Sequence, residues 1–206
     1  MPNNVYMSHI ERKKRDQENI RASILNAAIN LAKSEGWSAV TIRKIAEAIE
    51  YTPPIVYEYF KNKDDLIHEI IIYGFQKLRQ MGSENLLKTT NPKEKLLALS
   101  LVHWDFSYEH RELYQLMFSL ERPLPNDEAE KGAQLLKDIF NRISGQTGKE
   151  LDILIFNWVC LLNGTISMIM QFEKPEHPLE EKFALTPREL FMRFMERFVN
   201  SLDNQK

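Results

Sequence analysis

Apolar residues recur at helical spacing along most of the chain, and no segment of useful length alternates strictly between apolar and polar positions. Ile20, Ile24, Ala27 and Leu31, for example, are spaced by three or four residues and therefore share one stripe of a helix. We predict an all-α fold, with a small three-helix head followed by a larger helical body. The predicted helices, about nine in number, lie at roughly Arg15–Gly36, Thr41–Ile49, Thr52–Phe60, Lys63–Gln80, Lys93–His110, Glu112–Leu120, Asp127–Thr147, Glu150–Phe172 and Pro187–Leu202.

Residues that cap helices mark several of the predicted boundaries. Thr52 precedes two prolines and is placed to begin the third helix, where we expect its side chain to accept a hydrogen bond from the Ile55 amide. Asn62 is followed three residues later by Asp65, and Thr186–Glu189 has the Thr-x-x-Glu pattern of a capping box. These signals predict defined starts for the third, fourth and last helices.

Charge is distributed unevenly along a chain whose formal net charge is only −2. Residues 1–63 contain ten Lys and Arg against seven Asp and Glu, whereas residues 64–206 contain 17 against 22. A polyanion should therefore bind the N-terminal third.

Cys160 is the only cysteine, which excludes a disulfide framework, and the start of the chain lacks the pattern of a signal peptide, so we expect a cytoplasmic protein.

The stretch Ile153–Phe172 contains no charged residue and is nearly long enough to span a bilayer. Polar residues such as Asn157 and Asn163 interrupt it, and acidic rather than basic residues flank it. We therefore expect a buried helix and no membrane contact, with a membrane span as the alternative.

Two short helices within Thr41–Phe60 have the length and spacing of a helix-turn-helix unit. Val56 and Phe60 are four residues apart and can pack against the isoleucines of the preceding helix, which leaves the other side of the third helix free. The cations placed around this free side are Arg43, Lys44 and Lys63. The arrangement fits recognition of duplex DNA, in which a rigid helix enters a groove and cations bind phosphates at its edges.

The same segment carries a longer motif. Gly36 is followed, after four further residues, by Thr-Ile-Arg-Lys-Ile-Ala at residues 41–46, and residues 57–66 read Tyr-Glu-Tyr-Phe-Lys-Asn-Lys-Asp-Asp-Leu. This pattern resembles the DNA-binding head of the tetracycline-repressor (TetR) family over about residues 16–75. The resemblance implies that operator DNA is contacted by the residues matching Thr41, Arg43, Thr52, Pro53, Pro54, Tyr57, Tyr59 and Lys63.

The resemblance also suggests a role for some of these side chains. Arg43 would reach a guanine or a phosphate, and Tyr57 and Lys63 would hold the DNA backbone. Because Pro53 and Pro54 remove two amide donors from the start of the third helix, we expect their rings to contact sugars or thymine methyl groups.

The sequence departs from the family pattern at the turn between the two short helices. The family usually has glycine where this chain has Glu50, so we expect a strained turn, at about 1 kcal/mol if the residue is left-handed. The basic run Arg12–Arg15 is either a solvated tail or an arm that contacts DNA.

The resemblance further implies two domains, with the N-terminal arm and DNA-binding helices in residues 1–62 and the effector-binding and dimerisation helices in residues 63–206. Candidate effector contacts, for which core packing is the alternative reading, are Trp104, Tyr114, Met117, Phe118, Trp158 and Met168.

The last two long helices are apolar over more than one stripe, which suggests contact with a second copy. The candidate dimer contacts are Leu161, Ile169, Phe191, Phe194 and Phe198.

These features and the resemblance predict a one-component transcription regulator, a repressor that binds a palindromic DNA operator as a homodimer. The resemblance implies that an unknown small-molecule effector releases it. The alternatives are a helical protein-binding adaptor and a helical enzyme, although no glycine-rich phosphate loop, nucleophile elbow or zinc-protease motif occurs. His103 and His110 could share a helix face, but no third ligand follows at a suitable spacing. We expect no metal, no cofactor and no catalytic residue.

Overall fold

A computed structural model describes residues 9–86, 89–119, 126–173 and 182–202 of the chain. Within these ranges the chain forms nine α-helices, a short 3-10 turn at Trp37–Ala39, and no strand, which confirms the predicted all-α fold. The helices are α1 (His9–Glu35), α2 (Ile42–Ala48), α3 (Pro53–Tyr59), α4 (Lys63–Leu86), α5 (Pro92–Glu109), α6 (Arg111–Met117), α7 (Asn126–Ser144), α8 (Gly148–Phe172) and α9 (Pro187–Ser201).

Side-chain caps start several helices where the sequence predicted them. The Asn62 side chain accepts a hydrogen bond from the Asp65 amide at 2.8 Å, and the Asp65 carboxylate accepts one from the Lys61 amide at 2.9 Å. Thr186 and Glu189 form the predicted capping box at the start of α9. Each cap satisfies amides that the first turn of a helix leaves without a carbonyl partner.

The chain divides into two compact units, residues 1–71 and 72–206, and this division falls inside α4. The expected domain boundary at residues 62–63 coincides with the start of that helix. In the N-terminal unit, α1, α2, α3 and the first part of α4 contribute a core of buried aliphatic residues and one aromatic ring: Ile24, Ala28, Ile45, Val56, Phe60, Leu66 and Ile70.

The second unit is built around large aromatic side chains. Trp158 of α8 is buried with Phe106 and Phe140, and its indole N–H donates to the Ser100 hydroxyl at 3.2 Å. Because a buried indole without a partner would lose a hydrogen bond to water, this contact fixes Trp158 in one orientation.

Two predicted helix boundaries differ from the structure by six residues. α1 begins at His9 rather than near Arg15, so the basic run Arg12–Arg15 lies within the helix and is exposed. α4 continues past Gly82 to Leu86. A Cβ atom at Gly82 would lie 3.1 Å from the Leu99 side chain, so the glycine serves a close approach to α5 rather than a helix end. Leu120, the predicted end of the sixth helix, lies outside the described residues.

α8 is long and apolar enough, by length and composition, to cross a membrane, and it is the only such helix in the described part of the chain. A core helix of a soluble helical protein meets the same criteria. Its hydrogen-bonded tryptophan and its packing against α5, α7 and α9 show one side of α8 covered by protein.

Candidate functional site

The turn between α2 and α3 is closed by backbone hydrogen bonds and by one residue in a left-handed conformation. The Tyr51 amide donates to the Ala46 carbonyl at 2.8 Å, and the Glu50 amide donates to the Glu47 carbonyl at 3.1 Å. Glu50 has a φ of 61°, the region that favours glycine. The expectation of a strained, non-glycine turn is therefore confirmed, at a cost of about 1 kcal/mol.

The inner side of α3 is anchored in the core of the N-terminal unit. Val56 and Phe60 are buried together with Ile42 and Ile45 of α2, as the helix-turn-helix interpretation required. The Arg21 guanidinium of α1 lies over the Phe60 ring, 5.3 Å from its centroid. These contacts hold α3 in a defined position, so that its outer side chains form a fixed surface.

The start of α3 differs in one detail from the prediction. Thr52 is the N-cap residue, but its side chain makes no capping bond, and the Ile55 amide donates instead to the Thr52 backbone carbonyl at 3.0 Å. Pro53 and Pro54 carry no amide hydrogen, so the first turn leaves only one amide to satisfy and the backbone carbonyl does so. The Thr52 hydroxyl is consequently exposed and available to a ligand.

Tyrosines dominate the outer side of α3. Tyr57 leaves 55% of its surface exposed, and Tyr51 is exposed in the preceding turn. Tyr59 is half-buried; partial burial, followed by the nearby Glu58 and Tyr51, raises its pKa, so its hydroxyl stays protonated and can donate a hydrogen bond to an anion.

The cations around α3 differ in whether they already have a partner. Lys44 pairs with Glu35 of α1, which neutralises part of its charge. Arg43 is exposed and Lys63 is half-buried, and neither forms an ion pair with another described residue. Arg43 and Lys63 are therefore the two predicted cations whose charge is free to meet phosphate.

All nine predicted DNA contacts lie in the N-terminal unit, around α2, the turn and α3. The exposed ones are Thr41, Arg43, Thr52, Pro54 and Tyr57, and the half-buried ones are Lys44, Pro53, Tyr59 and Lys63. Thr41 also caps α2, since its hydroxyl accepts from the Lys44 amide at 3.2 Å. Tyr51 belongs to the same surface and was not predicted, although an aromatic residue in the turn was a usable signal. Contact with DNA stays a prediction for each of them.

The second unit contains a cavity of about 450 Å³ between α4, α5, α7 and α8, and part of the α6 end also lines it. Its walls are mostly apolar, formed by Phe75, Leu78, Leu99, Val102, Phe118, Leu135, Leu136, Ile155, Phe156, Trp158, Val159 and Leu162. The polar lining residues are Arg79, His103, Glu128, Asp152 and Asn163. A concave, mostly apolar space with a few polar groups is the usual form of a small-molecule site.

The charged groups of the cavity are already paired. Glu128, only 4% exposed, accepts hydrogen bonds from Arg79 and, at 3.1 Å, from Lys131. Burial alone would raise the pKa of Glu128, but the two cations outweigh that effect and its pKa lies below the usual value. Asp152 lies 3.4 Å from the Lys137 ammonium. No lining charge among the described residues therefore needs a charged ligand as counter-ion.

Asn163 and His103 supply the uncharged polar groups. The Asn163 side chain accepts from the Tyr114 hydroxyl at 2.6 Å and donates to the Val159 carbonyl at 2.9 Å, which fixes its amide. The His103 Nδ1 lies 2.9 Å from the Leu99 carbonyl, and its ring stands edge-on to Trp158 with centroids 5.4 Å apart. The sequence predicted His103 as a surface or hydrogen-bonded histidine, with a metal ligand as the alternative, and its place in the cavity was missed.

Two of the six predicted effector contacts, Phe118 and Trp158, line this cavity, and four do not. Trp104 packs on Phe191, and the Tyr114 hydroxyl donates to the Asn163 side chain. The sulfur of Met117 fills the space beside Gly74. The fourth, Met168, is 51% exposed on the outside of α8. For the three buried residues the alternative reading, core packing, is the correct one.

The predicted dimer contacts are likewise divided by burial. Ile169 and Phe191 are buried inside the second unit, so they are not available to a partner and these two predictions were wrong. Leu161 and Phe198 are half-buried, and Phe194 is 40% exposed. α8 instead presents an uncharged exposed row, here called the α8 stripe, that consists of Ile153, Phe156, Asn157, Cys160, Gly164, Ser167, Met168 and Gln171.

Sequence comparison matches the N-terminal part of the chain to known regulators. Residues 24–70 match the family model described as bacterial regulatory proteins of the tetR family. The HTH-type transcriptional repressor NicS of Pseudomonas putida is 24% identical over 97 residues, which cover 47% of this chain and 46% of NicS. The probable HTH-type transcriptional regulator YttP of Bacillus subtilis is 24% identical over 98 residues. The chain spans about half the length of these curated relatives.

Solved structures share the fold over nearly the whole chain. A Rhodococcus protein of unknown function superposes with a TM-score of 0.71 at 14% identity, covering 98% of this chain and all of that one. The TetR-family regulator PfmR of Thermus thermophilus superposes with a TM-score of 0.61 at 18% identity, covering 86% of this chain and 97% of PfmR. The family match at residues 24–70 and the motif at residues 41–66 make the N-terminal part of the chain similar to the tetR family of bacterial regulatory proteins, and the solved structures share the fold of the chain.

Proposed function

We propose that this protein is a DNA-binding transcription regulator, a repressor that binds a palindromic operator as a homodimer and is released by a small molecule. The observation that carries the proposal is the outer surface of α3, which is held from behind by Val56 and Phe60 and flanked by the unpaired cations Arg43 and Lys63. A fixed helix with free cations at its edges is what binding in a DNA groove requires.

The contacts divide into those that position and those that specify. Lys63 and the hydroxyls of Tyr57 and Tyr59 can bind phosphates, which places α3 in the major groove without reading sequence. Thr52, freed from capping, can donate to or accept from a base edge. The Pro54 ring presents an apolar surface that fits a thymine methyl group.

Association of two copies through the α8 stripe is the second part of the proposal. An uncharged exposed row on a long helix is unusual on a soluble surface and typical of a helix that packs on a symmetric partner. The exposed Phe194 of α9 is a further candidate contact. A twofold dimer would place two α3 helices about 34–36 Å apart, which matches successive major grooves.

The cavity in the second unit supports control by a small molecule. Its volume, about 450 Å³, lies within the usual range for small-molecule sites. An effector that binds better to the form with low DNA affinity would shift the equilibrium toward that form, and a coupling of about 1–3 kcal/mol would change operator affinity by about 5- to 150-fold. The family consists of regulators rather than enzymes, and a regulator of this kind acts on DNA in the cytoplasm.

Fluorescence anisotropy with a labelled duplex from the region upstream of the protein's own gene tests the proposal. We expect binding that weakens steeply between about 50 and about 200 mM salt and that exceeds binding to an unrelated duplex of equal length by at least about 100-fold. Equal affinity for both duplexes would reduce the interaction to non-specific attraction and would refute the operator.

A further inference from the structure

We infer that the cavity of the second unit accepts an uncharged, largely apolar molecule that carries one hydrogen-bond donor, and that His103 binds this donor through Nε2. The inference deepens the proposed function, on which it rests, by naming the chemical class of the effector. A phenol or an alcohol with an apolar body meets the description, whereas a carboxylate does not.

The hydrogen-bond partner of Nδ1 determines which nitrogen of His103 carries a hydrogen. A backbone carbonyl can only accept, so the 2.9 Å contact with the Leu99 carbonyl requires the hydrogen on Nδ1. Burial lowers the pKa of His103, although its bond to Leu99 opposes that effect, so the ring is neutral at pH 7. Nε2 is therefore an acceptor with a free lone pair.

This acceptor has no partner within the described residues. The contacts of His103 are the Leu99 carbonyl at Nδ1 and the edge of the Trp158 ring. No buried side-chain nitrogen or oxygen in the described part of the chain lacks a hydrogen-bond partner, so Nε2 must be accessible rather than sealed in the core. The space next to it is the cavity that His103 lines.

The surroundings determine the charge of the ligand. The lone pair of Nε2 repels a carboxylate, and the acidic lining residues Glu128 and Asp152 already face Lys131, Arg79 and Lys137. A cationic ligand would find no unpaired carboxylate in the cavity lining. Burying its charge among apolar walls without a counter-ion would be costly. A neutral donor satisfies Nε2 and leaves the existing pairs intact.

Matched probe molecules test this inference in the wild-type full chain. We would titrate para-heptylphenol, its methyl ether para-heptylanisole, and para-heptylbenzoate, and record heat by calorimetry and tryptophan fluorescence, to which Trp158 beside His103 contributes. The phenol is expected to bind about tenfold more tightly than the ether, because only the phenol can donate to Nε2. The benzoate is expected to bind most weakly.

Equal binding of phenol and ether, tightest binding of the benzoate, or no binding of the phenol would each overturn the inference. The variant His103→Phe should bind phenol and ether equally, while the matched control His68→Phe, at an exposed position of the N-terminal unit, should keep the wild-type preference. Circular dichroism checks that each variant is folded. If His103→Phe does not fold, the wild-type comparison alone decides, because it needs no variant.

The titrations contain no DNA, so they separate this inference from the proposed function. A protein that binds its upstream duplex but prefers the ether retains the regulatory function and loses the effector class. A protein that prefers the phenol but shows no preference among DNA duplexes retains the effector class and loses the regulatory function.

Discussion

The surface around α3 and the cavity of the second unit differ in how their charged residues are paired. Around α3, the cations Arg43 and Lys63 have no acidic partner among the described residues, and both lie at the surface or near it. In the second unit the charged residues of the cavity are paired with each other, as Glu128 is with Arg79 and Lys131. Unpaired cations beside a fixed helix can bind an anion of another molecule, whereas the paired charges of the cavity leave no counter-ion for a charged ligand. This contrast supports the proposals of a polyanion at α3 and of a neutral ligand in the cavity.

The largest effect is expected from a charge on the α8 stripe. Met168→Asp would bury one carboxylate per copy in the proposed dimer contact and should weaken dimerisation by at least about 3 kcal/mol, or more than about 100-fold. Sedimentation equilibrium measures the change. Tyr51→Asp, at an exposed site of the N-terminal unit, is the control and should leave the dimer intact. A dimer that survives Met168→Asp would show that copies meet elsewhere.

Removing one unpaired cation tests the DNA side of the comparison. Arg43→Ala should reduce operator affinity by about 1–3 kcal/mol, because a groove or phosphate contact is lost without breaking an ion pair inside the protein. Arg142→Ala changes the charge equally in the second unit, where Arg142 pairs with Asp138, and should leave operator affinity within about twofold. Equal losses in the two variants would reduce Arg43 to a contribution of overall charge.

Removing the shared carboxylate tests the paired side. Glu128→Gln leaves Arg79 and Lys131 without their anion and should cost about 2 kcal/mol of unfolding free energy at pH 7, measured by urea denaturation. The pKa of Glu128 is lowered in the folded state, so its contribution is complete above the usual value near 4.5 and is lost as the pH falls through the folded-state value. The wild type should therefore lose more stability in acid than the variant, and parallel acid profiles would contradict the pairing.

The smallest effect concerns the turn that orients α3. Glu50→Gly should stabilise the protein by about 0.5 kcal/mol, because glycine adopts a φ of 61° without strain but loses more chain entropy on folding. Glu47→Gly, three residues earlier and inside α2, should instead destabilise it by about 1 kcal/mol. Thermal unfolding of the two variants should thus shift in opposite directions, and a shift in the same direction would refute the backbone argument.

Features that depend on neighbours in sequence could be predicted, and features that depend on distant neighbours could not. Helical periodicity, the caps at Asn62 and Thr186, and the packing of Val56 and Phe60 involve residues close along the chain. The predicted end of α4 at Gln80 was too early, since α4 continues through Gly82, and the approach of Gly82 to Leu99, seventeen residues away, is not visible in the local sequence. The position of α3 and its buried side could be predicted because the motif that contains them spans only a few helical turns.

The cavity and the dimer candidates show the same limit more strongly. An apolar side chain on a helix can face the core, a ligand or a second copy, and composition does not separate these cases. Phe191 and Trp104 pack on each other across α9 and α5, which removes both from the predicted sites. His103 was missed because its role depends on the Leu99 carbonyl, one helical turn away, and on a space that exists only after α4, α5, α7 and α8 assemble.

Phe156 lines the cavity and yet keeps 67% of its surface exposed as part of the α8 stripe. If two copies meet on that stripe, the same ring belongs to the wall of the effector site and to the seam between subunits. Linkage then works in both directions. If a molecule that moves the ring changes the affinity of the two copies for each other by some factor, self-association changes the affinity of the protein for that molecule by the same factor. The sensitivity of such a regulator to its signal would depend on how much of the protein the cell contains.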